Sequence, residues 1–188
     1  MPLDAVQRSR LKPSAEELQR LMVRYQQADV EAGAALVDGL SAQMFQFFLA
    51  DFRNRSYAED LLQDFWLRIH NARRTYRTGE PVLPWMYAIA HRVRIDHYRR
   101  TRRYIQREVA DEAALGNAPY QPQTKSQSGV TDLLKELPES QREVLLMMKV
   151  SGLTLEEVAR ATGSTVGAVK QKAHRGYEKL RKLCGGQQ

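Results

Sequence analysis

The stretch Thr154-Leu-Glu-Glu-Val-Ala-Arg-Ala-Thr-Gly163-Ser-Thr-Val-Gly-Ala-Val-Lys170 decides how the chain is read. Leu155, Val158 and Ala159 make one apolar stripe at helical spacing. Gly163 falls where a first helix must end in a left-handed conformation, which glycine adopts without a Cβ penalty. Val166 and Val169 then begin a second stripe, spaced to pack back on the first. Two short helices joined by a glycine turn are the geometry that presents the second helix to a DNA major groove. A helical hairpin in an ordinary core shows the same spacing, so the outward side chains must decide. From Lys170 to Lys182 there are six basic residues and one acidic, Glu178. A solvated face mixes signs, and this excess points to phosphate contact. Lys170 and Gln171 can offer donors and acceptors to base edges, while Lys179, Arg181 and Lys182 would mainly position the helix.

Working outward, the 188 residues suffice for one ordinary domain or two small ones. Hydrophobic residues at 43% and charged residues at 27% make a normal globular mix, and 29 basic against 22 acidic side chains leave a net charge of +7. That balance favours a polyanionic partner. The single cysteine, Cys184, excludes an internal disulfide and a Cys-based zinc site. Gly39–Ala50, the uncharged run around the apolar Met44, Phe45, Phe47 and Phe48 patch, is 12 residues and too short to span a bilayer. The start, Met-Pro-Leu-Asp, carries no apolar export signal, so a cytoplasmic protein without membrane insertion is expected.

Residues 105–130 hold Gly116, Pro119, Pro122 and Gly129 among Gln, Ser, Asn and Ala, without a sustained apolar period. They read as a flexible linker between two small helical domains, 14–104 and 131–184, with 1–13 as an N-terminal tail. The expected fold is all-α, because no alternating strand pattern occurs. Four Ser/Thr-x-x-Glu signatures of a capping box open amphipathic stretches: Ser14/Glu17, Ser56/Glu59, Ser140/Glu143 and Thr154/Glu157. Helices are predicted at 14–28, 32–52, 56–73 and 84–104, then 131–136, 140–150, 155–162 and 166–183.

In the first domain, Ser56-Tyr-Ala-Glu-Asp-Leu-Leu-Gln-Asp-Phe-Trp-Leu-Arg-Ile-His70 is an amphipathic helix with Glu59, Asp60, Gln63 and Asp64 on its polar side. A loop, Thr75-Tyr-Arg-Thr-Gly-Glu-Pro-Val-Leu83, leads to Pro84-Trp-Met-Tyr-Ala-Ile-Ala-His-Arg-Val-Arg-Ile-Asp-His-Tyr-Arg-Arg100. Pro84 suits a first helical position. From His91 to Arg107 there are seven Arg and one Asp, a strongly basic stripe. The order Ala-Glu-Asp-Leu-Leu-Gln-Asp-Phe, Pro-Trp-Met-Tyr-Ala-Ile-Ala and Ile-Asp-His-Tyr-Arg-Arg closely resembles region 2 of bacterial sigma factors. The stretch from Leu137-Pro-Glu-Ser-Gln-Arg-Glu-Val to Arg175 resembles sigma region 4. With these two regions alone, the chain is similar to the extracytoplasmic-function (ECF) class over about residues 14–184.

The resemblance implies a promoter-specificity subunit that binds core RNA polymerase and promoter DNA, has no catalytic residues and no cofactor, and is commonly held by an anti-sigma factor. It implies polymerase docking through Asp60, Leu61, Gln63, Asp64 and Phe65. It implies capture of a flipped −10 base by the loop, with Tyr76 and Arg77 stacking on or contacting it, and −10 holding by Arg92, Arg99, Arg100 and Arg103. Base reading at −35 falls to Lys170, Gln171, His174 and Arg175. The chain departs from the family at Ala88, where an Arg is usual, at Arg92, where an Asn could contact adenine bidentately, and at His174, where an aromatic is common. Trp85 and Asp96 read as structural rather than DNA-facing, and Met44, Phe45, Phe47 and Phe48 as core or partner contact. Two rivals remain at this point. A free-standing helix-turn-helix regulator would bind duplex DNA without polymerase. A metal-dependent nuclease built on Asp60 and Asp64 lacks further carboxylates, and the four histidines lack metal-ligand spacing.

Overall fold

A computed structural model describes residues 13–52, 54–112, 134 and 136–185, without the side chains of 51, 52, 103–112 and 185. Four helices form the first region: α1 (Ala15–Gln26), α2 (Val30–Phe52), α3 (Arg55–Ala72, extended by a 3-10 turn Arg73–Thr75) and α4 (Val82–Glu112). The second holds α5 (Glu139–Leu145), which widens into a π-helical turn Leu146–Val150, then α6 (Leu155–Thr162) and α7 (Val166–Gly185). Among the described residues there is no strand, as the missing alternation requires.

Local chemistry sets the ends. Ser14 Oγ accepts the Glu17 N–H at 3.1 Å. Thr154 and Glu157 form a complete capping box, each side chain accepting the other's backbone N–H (2.8 and 3.2 Å). The other two signatures are not used. Asn54, not Ser56, caps α3, because its Oδ1 accepts the N–H of Ser56 at 2.9 Å. Pro138 stands at the cap of α5 without a side-chain bond, and Glu143 is engaged elsewhere. Helix α4 starts two residues before Pro84, which occupies the first turn, where an N–H has no intrahelical acceptor. It also runs to Glu112, eight residues into the stretch expected to be linker; the remainder of that stretch lies outside the described residues.

Helix α2 lies against α1 and α3, and α4 closes the first region against α3. Phe48 meets Phe65 edge-on at 6.0 Å between centroids, and Phe47 meets Tyr87 at 5.1 Å. The Met44–Phe48 patch is thus core, with Met44, Phe47 and Phe48 buried. In the second region Val158, Val169 and Ala173 bury the α6–α7 crossing. Gly176 lets α7 approach α5: a Cβ there would stand 2.9 Å from Leu145 Cδ1.

Two separate small cores are the natural expectation for two small domains. Instead the buried apolar side chains form one cluster from Leu18 to Ala173. Helix α6 packs on α4, and α5 touches the end of α2. The seam between regions is also polar. Arg94 Nη2 donates to Glu143 Oε2, and His91 Nδ1 lies 2.6 Å from Glu143 Oε1. Arg142 Nη1 donates to the Ala50 carbonyl at 3.1 Å, supplying a cation to the last turns of α2, which has no basic residue of its own there. Tyr87 and Ser151 share a buried hydroxyl–hydroxyl bond.

Candidate nucleic-acid interface

Helix α3 carries its acidic residues on the outside because its apolar residues face inward. Asp60 and Gln63 are exposed, and Asp64 is half-buried. Leu61 and Phe65, 3% and 0% exposed, lie in the core beneath them, so these two side chains support the face rather than present themselves on it. Asp64 is held by Arg68 (Nε–Oδ1 3.1 Å) and approached by Arg100 (3.5 Å). Arg68 reaches across to Asp96 at 2.6 Å, tying α3 to α4. Asp96 is therefore a structural partner, as expected, and the Arg68 hydrogen bond holds its carboxyl below the usual range. Burial, with the Arg100 charge, lowers the pKa of the adjacent His97.

The loop before α4 is braced, not loose. Gln26 Nε2 donates to the carbonyls of Arg73 and Tyr76, both at 2.8 Å. Tyr76 is only 3% exposed; its hydroxyl donates to the Glu80 carbonyl and its ring meets Trp85 edge-on at 5.6 Å. A base cannot stack on a ring already buried this way, so the stacking expectation for Tyr76 fails in this conformation. Burial also raises the Tyr76 pKa. Arg77 stays exposed. Between this loop and α6 lies a cavity of 310 Å³ lined by Thr75, Tyr76, Arg77, Trp85, Arg160 and Ala161, among others. Arg160 on α6 pairs with Glu80 of the loop at 3.4 Å.

On α4, Arg92, Arg99 and Arg100 are exposed, whereas Arg103 is helical with its side chain outside the described part. Arg94 leaves the basic stripe altogether, at 2% exposure. The sequence offered one signal for its partner. Glu143 interrupts the run Val144-Leu-Leu-Met-Met148 at its edge, and a carboxylate beside a continuous apolar run must find a cation when it folds.

The helix-turn-helix has the expected geometry. Gly163 closes α6 at φ 61°, ψ 28°, in the left-handed region. Thr165 Oγ1 accepts the Ala168 N–H at 3.2 Å at the start of α7. Val166, expected to pack, is 39% exposed, and Val169 and Ala173 supply the inner stripe instead. Lys170, Gln171, His174 and Arg175 all lie exposed, and among the described residues none of the four has a hydrogen-bond or ion-pair partner. No group of three or more His, Cys, Asp or Glu able to hold a metal occurs among the described residues, and no helix there is long and apolar enough to cross a membrane.

Residues 40–104 match the family profile described as Sigma-70 region 2, and residues 129–180 match Sigma-70, region 4. The RNA polymerase sigma factor CarQ of Myxococcus xanthus is 36% identical over 148 residues, covering 77% of this chain and 84% of its own. The ECF RNA polymerase sigma factor SigD of Mycobacterium tuberculosis is 32% identical over 180 residues, covering 93% and 76%. Among solved structures, the sigma factor RpoE in complex with the anti-sigma factor NepR from Bartonella quintana superimposes with a TM-score of 0.64 at 21% identity, covering 82% of this chain and 98% of that one.

Proposed function

The chain belongs to the family of ECF RNA polymerase sigma factors, and from that premise we propose that it reads promoters through two separate surfaces. A sigma factor directs promoter-specific initiation by binding core RNA polymerase and promoter DNA. Here α7 is assigned the −35 element through Lys170, Gln171, His174 and Arg175. The loop with Arg77, followed by Arg92, Arg99, Arg100 and Arg103 on α4, is assigned the −10 element. Asp60, Gln63 and Asp64 on α3 form the face for core polymerase, backed by Leu61 and Phe65. An acidic face inside a basic protein fits a basic partner helix. The protein acts by binding, and the chemistry of RNA synthesis belongs to the polymerase. Its place of action is the cytoplasm, and an anti-sigma factor is a natural further partner, as for the Bartonella relative.

One observation carries this reading: the outer face of α7 holds four exposed polar side chains without a hydrogen-bond or ion-pair partner among the described residues, directly opposite the stripe that buries Val169 and Ala173. Such a face is prepared for a polyanion outside the chain. The test is run-off transcription with purified core polymerase across a promoter library. Defined start sites that need both the protein and core are expected. Tight binding to duplex DNA without core, together with no association with core, would instead make it a free-standing regulator.

A further inference from the structure

Helix α1 presents an outer face that none of the assigned surfaces uses. Its apolar residues Leu18 and Met22 are buried, so by the helical period Gln19, Arg20, Val23 and Arg24 fall on the opposite side. With Thr78 and Gly79 of the loop before α4, these four line an open groove of 460 Å³. No carboxylate is among the groove's lining residues.

The groove is firmly joined to the loop. Gly79, at φ 92°, turns the chain through the left-handed region, and Gln19 Nε2 donates to the carbonyl of the next residue, Glu80, at 3.3 Å. Farther along α1, Gln26 Nε2 holds the Arg73 and Tyr76 carbonyls. Two glutamines about two turns apart on one helix therefore grip both sides of the loop.

The two arginines are prepared differently. Arg24 is fixed, because its Nε and Nη2 meet Asp29 Oδ2 at 2.8 and 2.7 Å, and Asp29 Oδ1 in turn accepts the Ala32 N–H at 3.0 Å. Its Nη1 has no partner among the described residues and stays available as a donor. Arg20 is exposed and has no hydrogen-bond or ion-pair partner among the described residues. Glu16 and Glu17 stand one turn earlier, at a spacing that permits an ion pair, and do not form one with it. Since Asp29 offsets Arg24, the net charge of the groove is that of Arg20.

An uncommitted cation beside a fixed one, in a groove lined by no carboxylate, suits a row of phosphates. Arg20 and Arg24 are four residues apart, about 6 Å along the helix. One strand carries a phosphate about every 3.4 Å, so the pair spans about two nucleotides. Arg77, assigned above to the captured base, directly precedes Thr78 of the groove. A strand held at Arg77 has α1 beside it.

We propose that the Arg20–Arg24 face of α1, with Thr78 and Gly79, is a phosphate track for the unpaired strand on one side of the base taken by the loop. Helix α1 then belongs to the promoter surface, and Arg20 supplies its charge. The inference rests on the assignment of that loop to the −10 element.

The test uses the full chain with core polymerase and fluorescent single-stranded oligonucleotides from a promoter that this holoenzyme transcribes. One oligonucleotide covers the −10 element alone, and two others extend it by a few nucleotides at the 5′ or the 3′ end. Binding is read by anisotropy at several salt concentrations, with core polymerase alone as the baseline. One extension is expected to tighten binding about fivefold to tenfold. Arg20→Gln should lose that gain and bind the unextended oligonucleotide unchanged. Its salt slope on the extended strand should fall in magnitude by about 0.7, the value for one phosphate contact on a single strand. Arg20→Lys keeps the charge and should keep the slope. A gain that survives in Arg20→Gln, or no gain from either extension in the unchanged protein, would overturn the track. A slope lost equally in Arg20→Lys would overturn phosphate contact as its cause. Equal binding of the unextended oligonucleotide and a scrambled version is a separate failure, which would overturn the loop assignment and the track that rests on it.

Discussion

The seam between the two regions and the outer face of α7 hold similar numbers of polar side chains and use them in opposite ways. At the seam, Glu143, Arg94, His91 and Arg142 find partners within the chain, in a nearly dry setting where each lost partner leaves an uncompensated group. On α7, Lys170, Gln171, His174 and Arg175 are exposed and have no hydrogen-bond or ion-pair partner among the described residues. Polar capacity used inside the chain fixes how its parts sit, whereas capacity left outside is available to a ligand. The two regions should therefore respond differently to the same kind of truncation.

The largest effect is expected at the seam. Removing one partner of a buried ion pair costs about 3–5 kcal/mol, so Glu143→Ala should weaken the docked arrangement by about that much. Amide exchange read at Val144–Met147 should accelerate accordingly. Glu157→Ala, which removes an exposed half of a capping box, should cost no more than about 1 kcal/mol. Equal acceleration in both variants would erase the distinction between the seam and the surface.

On α7 the expected loss appears in recognition, not in stability. Gln171→Ala should cost ~1–3 kcal/mol at one −35 position and relax preference there. Lys182→Ala, farther along the helix, should at most weaken all promoters alike and lower the salt slope by about one. Promoter-library transcription at two salt concentrations checks both. An intact −35 preference in the first variant, with an altered one in the second, would show that a different part of α7 enters the groove.

Smaller again is the cap. Thr154→Ala should destabilise by about 1 kcal/mol, because Thr154 Oγ1 serves the Glu157 N–H. Ser140→Ala, in the same four-residue signature, should change the urea midpoint hardly at all, since α5 has no side-chain cap.

That pair also shows what a sequence can disclose. The α6–α7 turn is legible because its determinants are local: a cap, a stripe, and Gly163 where the backbone turns left-handed. The acidic face of α3 is legible for the same reason, through the period that separates Asp60 and Gln63 from Phe65. Ser140/Glu143 misleads because the carboxylate is claimed by Arg94, 49 residues away, and a tertiary partner outweighs a local bond worth about 1 kcal/mol. Tyr76 misleads in the same way: an aromatic in a basic loop suits stacking on a base, but Trp85, Gln26 and the Glu80 carbonyl are all nearer to hand. The docking of the two regions has no local signature, since α4 reads as a uniformly basic helix until Glu143 reaches Arg94.

A further small effect tests the half-exposed counterpart of the seam. Asp96 pairs with Arg68 as Glu143 pairs with Arg94, but its side chain is 42% exposed and Arg68 31%. Solvent screening limits such a pair to about 0.2–1 kcal/mol. The Arg68 hydrogen bond lowers the Asp96 pKa in the folded chain. A carboxylate with a depressed folded pKa binds its proton more readily when unfolded, so it stabilises the fold above the unfolded value, about 3.9. That contribution falls away as the pH drops below about 3.9 and through the folded value. Asp96→Asn should therefore lower the urea midpoint slightly at pH 7, and the gap from the unchanged protein should close on acidification. The urea midpoints of both proteins from pH 7 down to the acid limit measure this. A gap that stays constant through the acid range would mean that Asp96 acts through packing at the α3–α4 seam and not through its charge.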